Sequence, residues 1–260
     1  MSTPPRVVIG ERWVFYRGPS HEPERHRHFA VQIVVGLEHP LRVEIDAGAP
    51  FATRAALVPS ERAHRISSEG EIALLLVEPA SLSGTDVRCA GTDRIHTSDA
   101  PDPAALSACA QPLPGVFDPQ AAVAAMLDVF MLEPRESVAR DARIRRVQAA
   151  IASDPRIDLV TAAEEVGLSS GRLRHLFREQ TGLAFSRYLL WERIKRAVRL
   201  AADRPTLTDA AIEAGFSDSA HFSNRFRALF GIAPSIVLRP GGILAMAVAA
   251  GEAHDVGRMR

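Results

Sequence analysis

Between Arg6 and Pro79 the apolar residues come in short bursts. The stretches "RVVI", "RWVFY", "FAVQIVVG", "LRVEIDA", "AALVP" and "IALLLVEP" are rich in β-branched and aromatic residues, and turn material such as "EHP", "AGAP" and "PSE" separates them. Several short strands at this spacing, with no long helical pattern between them, predict a sandwich or small barrel over residues 1–97. In "FAVQIVVG" the odd positions Phe29, Val31, Ile33 and Val35 are apolar and the even ones only partly polar, so this strand is expected to be buried on both faces.

From Asp99 the texture changes. "DAPDPAALSACAQPLPGVFDP" is rich in proline and alanine and reads as a short helix and a loop. Pro119–Leu132 then opens as a helix, with Asp118 as N-cap and proline at the first helical position. Its apolar residues Val123, Met126, Leu127, Phe130 and Met131 form a stripe wider than a helix lying on a barrel needs, which predicts a dimerisation surface in a segment spanning 98–140. "EPRESVARD" (Glu133–Asp141) reads as the linker. From there to Arg239 the period is helical, and an apolar tail, 240–260, follows.

Within the helical part the chain repeats itself. "GLSSGRLRHLFREQTGLAF" begins at Gly167 and "GFSDSAHFSNRFRALFGIAP" at Gly215, an offset of 215 − 167 = 48 that becomes 231 − 182 = 49 at the later glycines. Phe222, Phe226 and Arg227 fall over Leu173, Phe177 and Arg178. Each unit reads helix, tight turn, helix. Asp158 caps the first helix, Gly167 turns, Ser169 or Ser170 caps the second, and Gly182 ends it. In the second unit Thr206 caps with Asp209 as its box partner, Gly215 turns, Ser217 or Asp218 caps, and Gly231 ends the helix. The second helix of each unit buries one face and offers small, polar or cationic side chains on the other, which is what entry into a DNA major groove requires. The 20 residues of "FSRYLLWERIKRAVRLAADR" between the units would span about 30 Å as a helix, close to the ~34 Å between successive major grooves. Two reading heads one helical turn apart are therefore expected in a single chain.

Charge supports a division of labour. The net charge is zero, yet residues 141–240 hold 16 Arg+Lys against 11 Asp+Glu, whereas residues 1–140 hold 13 against 18. A basic second half on an acidic first half fits a chain of which one half meets a polyanion. Lys195 is the only lysine; arginine, which suits bidentate phosphate and guanine contacts, supplies every other basic side chain. Cys89 and Cys109 have no CxxC spacing, and no apolar run is long enough to span a bilayer, so a cytoplasmic protein without a disulfide framework and without a membrane partner is expected. No GxSxG, P-loop or GxGxxG motif marks an enzyme.

The pattern Ala211-x-x-x-Gly215-Phe216, followed by His221-Phe222, Phe226-Arg227, Gly231 and Pro234, resembles the second helix-turn-helix of AraC/XylS-type transcription regulators. The connecting helix, with Tyr188-Leu189, Arg193-Ile194 and Ala197, is similar too. The resemblance covers residues 141–239 and implies double-stranded DNA as partner, with contacts from Ser170, Gly171, Arg172, Arg174, His175 and Arg178 of one unit. The other unit would contribute Ser219, His221, Ser223, Asn224 and Arg227. RNA polymerase is a further partner if the protein activates.

In the front half, "HRHFAVQ" puts His26, His28 and Gln32 at even spacing, and "PSERAH" brings Pro59 and, five residues on, His64. These resemble the two cupin motifs H-x-H-x-x-x-E and P-x-G-x-x-H, with Gln32 replacing the glutamate and Glu61 the glycine. The resemblance implies that His26, His28, Gln32 and His64 converge, either as the polar lining of an effector pocket or as ligands of a divalent transition metal, the one cofactor expected. The whole reads as an α+β multidomain chain: a cupin-like β-barrel, a helical dimerisation segment, and an all-α domain of two helix-turn-helix motifs joined by a long helix. Its expected role is a ligand-responsive, homodimeric transcription regulator. The rivals are a cupin metalloenzyme fused to a DNA-binding domain and an architectural DNA binder without a ligand.

Overall fold

The computed structural model describes residues 5–46, 48–83, 96–110, 118–134, 141–238 and 244–247. Cys89, residues 135–140 of the expected linker and the tail beyond residue 247 lie outside them. The front half begins with β1 (Arg6–Ile9), β2 (Trp13–Pro19), β3 (Val31–Gly36), β4 (Leu41–Ile45), β5 (Phe51–Thr53) and β6 (Ala55–Val58). It continues with β7 (His64–Ser68), β8 (Glu71–Val77), β9 (Leu82–Ser83) and β10 (His96–Ser98). Helices α1 (Pro103–Ala110) and α2 (Pro119–Asp128) follow, and β11 (Glu133–Pro134) pairs back on β9.

Among the described residues the strands form a seven-stranded sheet, ordered β10-β6-β3-β8-β2-β1-β12, and a three-stranded sheet, ordered β5-β4-β7. Strand β12 (Leu244–Ala247) belongs to the apolar tail and pairs in parallel with β1, Arg6 opposite Leu244 and Ile9 opposite Ala247. The tail is thus an edge strand of the large sheet.

Strand β3 is buried at every position. Val31, Ile33 and Val35 join Phe15, Leu75, Met126 and Leu127 in a core on one face, beneath α1 and α2. Val34 joins Leu41, Val43 and Ile66 in a second core on the other face, where the small sheet packs. Burial on both faces is what its run of apolar residues predicts. The barrel, however, does not close. Among the described residues no ladder joins the small sheet to the large one, so the arrangement is an open sandwich. The helical half takes the rest of the exposed face, where Val7, Ile9 and Leu76 share a core with it.

The stripe expected at a dimer interface is packed on the chain's own sheet. Asp118 accepts from the backbone N–H groups of Gln120 and Ala121, capping α2 as predicted. The helix then buries Ala122, Val123, Met126 and Leu127 against that sheet. Met131, at the end of the stripe, is 89% exposed. The helix alone could not show which part of a wide stripe its own sheet would cover.

The helical half runs α3 (Ala142–Ser153), α4 (Leu159–Glu164), α5 (Ser170–Thr181), α6 (Phe185–Asp203), α7 (Leu207–Glu213), α8 (Ser219–Phe230) and α9 (Pro234–Val237). Asp158, Ser169, Thr206 and Asp218 cap α4, α5, α7 and α8 through side-chain oxygens that accept backbone N–H bonds. Gly182 and Gly231 close α5 and α8 in the left-handed conformation, with φ of 74° and 70°. The turns at Gly167 and Gly215 are left-handed as well, with φ of 65° and 93°. Leu173, Phe177, Phe222 and Phe226 form the buried faces, sharing one core with Trp191, Ile194 and Ala197 of α6.

Candidate nucleic-acid interface and effector cavity

Capping fixes where each second helix begins, and its buried face fixes how it is rotated. On α5 this leaves Gly171, Arg172, Arg174, His175 and Arg178 exposed, with Ser170 half-buried beside the cap. A methyl group at Gly171 would meet nothing within 4 Å, so the approach to this face is open. On α8 Asn224 and Arg227 are exposed, while Ser219 and Ser223 are half-buried. His221 is held by its own turn: Nδ1 lies 3.1 Å from Ser217 Oγ, and the ring meets Phe216 edge-on at 5.4 Å. The joining helix α6 has 19 residues and so spans about 28 Å. Arg225, also exposed on α8, was missed at the sequence level, although it sits one residue from the predicted set.

The four residues expected to converge in the front half do so. His26 and His64 pair across an isolated backbone bridge, and Gln32 comes from β3. The ligating atoms of the three imidazoles lie within 4.8 Å of one another. Each ring places Nδ1 on a backbone carbonyl: His26 on Glu24 at 2.9 Å, His28 on Ala30 at 2.9 Å and His64 on Arg62 at 2.8 Å. A carbonyl only accepts, so every Nδ1 carries the proton and every Nε2 of a neutral ring presents a lone pair. Burial, with the neighbouring charge of His28 adding to it, pushes His26 down to about 4 against the opposing pull of the Glu24 carbonyl. Burial lowers His28 despite its bond to Gln32, and it holds His64 well below the usual range with His28 and His26 reinforcing the effect. The cluster is therefore neutral at pH 7.

Gln32 Oε1 lies 2.7 Å from His28 Nε2 and 3.3 Å from His64 Nε2. Acceptor faces acceptor in both pairs. Two chemistries resolve this: a cation shared by the donors, or the Gln32 amide turned so that its NH₂ donates to both rings. Imidazole nitrogens anchored through Nδ1 and joined by an amide oxygen fit a divalent transition metal, which His26, His28, His64 and Gln32 would hold.

Beside the cluster lies a cavity of about 120 Å³. Its sheet wall comes from Val14 and Tyr16 of β2 and from Ile72, Leu74 and Leu76 of β8. Its helical wall comes from Val198 of α6, Phe226 and Phe230 of α8, and Val237 of α9. His26 and Gln32 reach the cavity; His28 and His64 stand behind them. The helical wall was not legible locally, because the repeat marks Phe226 only as part of a buried face.

The two halves are tied together around this cavity. Glu24 N–H donates to Gly231 O at 2.8 Å, so the loop carrying His26 sits on the C-cap of α8. Buried Lys195 Nζ donates to Glu11 O at 2.6 Å and pairs with Glu192 at 2.7 Å. Phe29 meets Trp191 edge-on at 5.5 Å, and Arg187 pairs with Glu61.

These features define a β-sheet module docked on a helical domain whose outward helix faces suit nucleic acid. Residues 162–239 match the family of helix-turn-helix domains. The transcriptional activator RhaR of Pectobacterium carotovorum is 34% identical over 119 residues, covering 45% of this chain and 37% of the relative. The arabinose operon regulatory protein of Escherichia coli strain K12 is 33% identical over 84 residues, covering 32% and 29%. The helical half is thus similar to the helix-turn-helix part of AraC-type transcription regulators. The matched stretches span about two fifths or less of these relatives' length. For the fold as a whole, ToxT from Vibrio cholerae superposes with a TM-score of 0.52 at 10% identity, over 87% of this chain and 97% of that one. No helix among the described residues is long and apolar enough to cross a membrane.

Proposed function

We propose that this chain is a ligand-responsive, sequence-specific transcription regulator in which a small molecule, bound between the sheet module and the second helix pair, sets DNA affinity. The observation that carries the reading is the shared cavity. A molecule that fills it touches β2 and β8 on one side and α8 on the other, so its affinity depends on how the two halves are docked. The comparisons support the DNA side. They also include a ToxT structure described as bound to an unsaturated fatty acid, a small molecule on a similarly folded chain. DNA contacts fall to the exposed faces of α5 and α8, with Arg174 and Asn224 as the base-reading candidates. The catalytic rival gains nothing from the geometry, because the clustered imidazoles are tied to backbone carbonyls and adjoin an apolar wall. A homodimer belongs to the same reading, through a surface other than the buried stripe of α2.

The test is fluorescence anisotropy of the full chain on duplex DNA at rising salt. Specific binding should weaken with a log–log slope near −0.9 for each phosphate neutralised. A chain indifferent to DNA at low salt would defeat the proposal.

A second reading concerns the imidazoles and rests on their Nδ1 anchoring. The cluster holds a divalent transition metal, whose role would be to fix the loop from Glu24 to His28. Metal analysis of the purified chain should then find about one ion per chain, absent in His28→Ala. An ion-free wild-type chain that stays ion-free after dialysis against Zn²⁺ or Ni²⁺ assigns the cluster to the turned Gln32 amide instead.

A further inference from the structure

We infer that the interdomain cavity takes an uncharged, largely apolar molecule of about single-ring size, with at most one hydrogen-bonding group, directed at Gln32 and His26. The inference rests on reading this cavity as the effector site and goes further by fixing the class of effector.

Charge decides the class. Among the described residues the cavity wall contains no lysine, arginine, aspartate or glutamate, and its titratable side chains are Tyr16, His21 and His26. An ionised group brought here would lose its water and meet no permanently charged side chain, a cost that sites of this kind avoid by excluding the ion. The polar groups that do line the wall are largely committed. Tyr16 donates its hydroxyl to Pro19 O at 2.8 Å, and burial, with Glu71 adding to it, pushes the phenol well above its usual range, so it stays neutral. His26 spends Nδ1 on Glu24 O. The remaining polar side chains, Gln32, His21 and His26, share the space with Ile72, Leu74, Leu76, Phe226 and Phe230. A ligand with one polar head and an apolar body matches that distribution; a sugar, with hydroxyls on every side, does not.

Size narrows it further. An engineered apolar cavity of ~150 Å³ holds one benzene ring. At about 120 Å³ this cavity admits a body of that order and not a long alkyl chain lying straight. Because Phe226 and Phe230 belong to α8, such a molecule would complete the packing between the sheet and the second reading helix.

The test uses three molecules of one shape, differing in the charge of the head: benzyl alcohol, benzoate and benzylamine. Melting of the full chain, first dialysed against EDTA, is followed at pH 7 with each at the same millimolar concentration. Benzyl alcohol should raise Tm by about 2–4 °C and the two ions should not. Nuclear Overhauser contacts from the benzyl ring should reach the Leu74 methyls and the Phe230 ring. Leu74→Trp, which fills the cavity, should lose the benzyl alcohol response. Should that variant misfold, Phe230→Trp closes the space from the other wall. Benzoate stabilising as strongly as benzyl alcohol would overturn the inference, and so would no response to any of the three or contacts confined to another surface. The salt-dependent DNA binding above is measured without ligand. A chain that binds DNA yet prefers benzoate refutes the ligand class alone; a chain that ignores DNA refutes the regulator.

Discussion

Gly231→Ala and Gly167→Ala form a matched pair that measures how firmly the loop carrying His26 is seated on the end of α8. Both glycines are left-handed, with φ of 70° and 65°, so either alanine costs about 1–2 kcal/mol of backbone strain. At Gly167 nothing else is added, because a Cβ there would meet no atom within 4 Å. At Gly231 the Cβ would stand 2.5 Å from Glu24 O, 2.7 Å from His26 Nδ1 and 2.7 Å from Pro23 Cβ. The nearest of these is backbone and cannot swing aside, so the loop must withdraw by roughly 1 Å to reach ordinary contact. Withdrawal breaks the Glu24–Gly231 hydrogen bond, worth about 0.5–1.5 kcal/mol, and opens the apolar contact beneath it. The expected totals are about 1–2 kcal/mol for Gly167→Ala and about 2–4 kcal/mol for Gly231→Ala. Urea unfolding of both full-length variants, followed by circular dichroism, reads the difference. Equal losses, or a cheaper Gly231→Ala, would refute the seated loop.

Arg174→Ala and Asn224→Ala should each weaken specific DNA binding by about 1–3 kcal/mol, at base pairs about one helical turn apart, and leave the melting temperature unchanged. Anisotropy on single-base operator variants checks this, and equal losses on random DNA would reduce them to phosphate contacts. Leu127→Asp should unfold or strongly destabilise the sheet module, because the side chain is 4% exposed in the α2 core; sedimentation of a well-folded variant would contradict that placement. Burial pushes the Cys109 thiol up to about 12, so iodoacetamide at pH 8 should leave it unmodified in the folded chain and alkylate it after urea unfolding, as read by peptide mass mapping.

Local chemistry made most of the helical half legible. Asp158, Ser169, Thr206 and Asp218 cap where their side chains and spacing predict, and the glycines at 167, 182, 215 and 231 turn left-handed, because each effect involves atoms within a few residues. The convergence of His26, His28, Gln32 and His64 was legible only through resemblance, since 32 residues of chain separate Gln32 from His64. Strand β7, "HRISS", carries too few apolar residues for alternation to reveal it, and β5 is three residues long. What periodicity could not reach was contact across the halves. Lys195, the only lysine, lies buried and donates to a carbonyl 184 residues away, a contact that helical period does not encode. The open sandwich has the same origin: a strand's pattern shows that a face is covered, but not whether strands or helices cover it.

The pairing of β12 with β1 changes how the helical half is held. The helical half leaves the sheet module after β11 and returns to it at β12, so residues 141–238 are an insertion tethered at both ends. A domain hung from one linker is free to reorient once its contacts open, whereas one anchored twice keeps both ends near the sheet. The second anchor raises the local concentration of each half for the other, which favours redocking after every opening. Severing the chain between Leu238 and Leu244 would remove one tether and leave the shared core and the bonds from Glu24 and Lys195 to hold the halves, with every side chain that lines the cavity still in place.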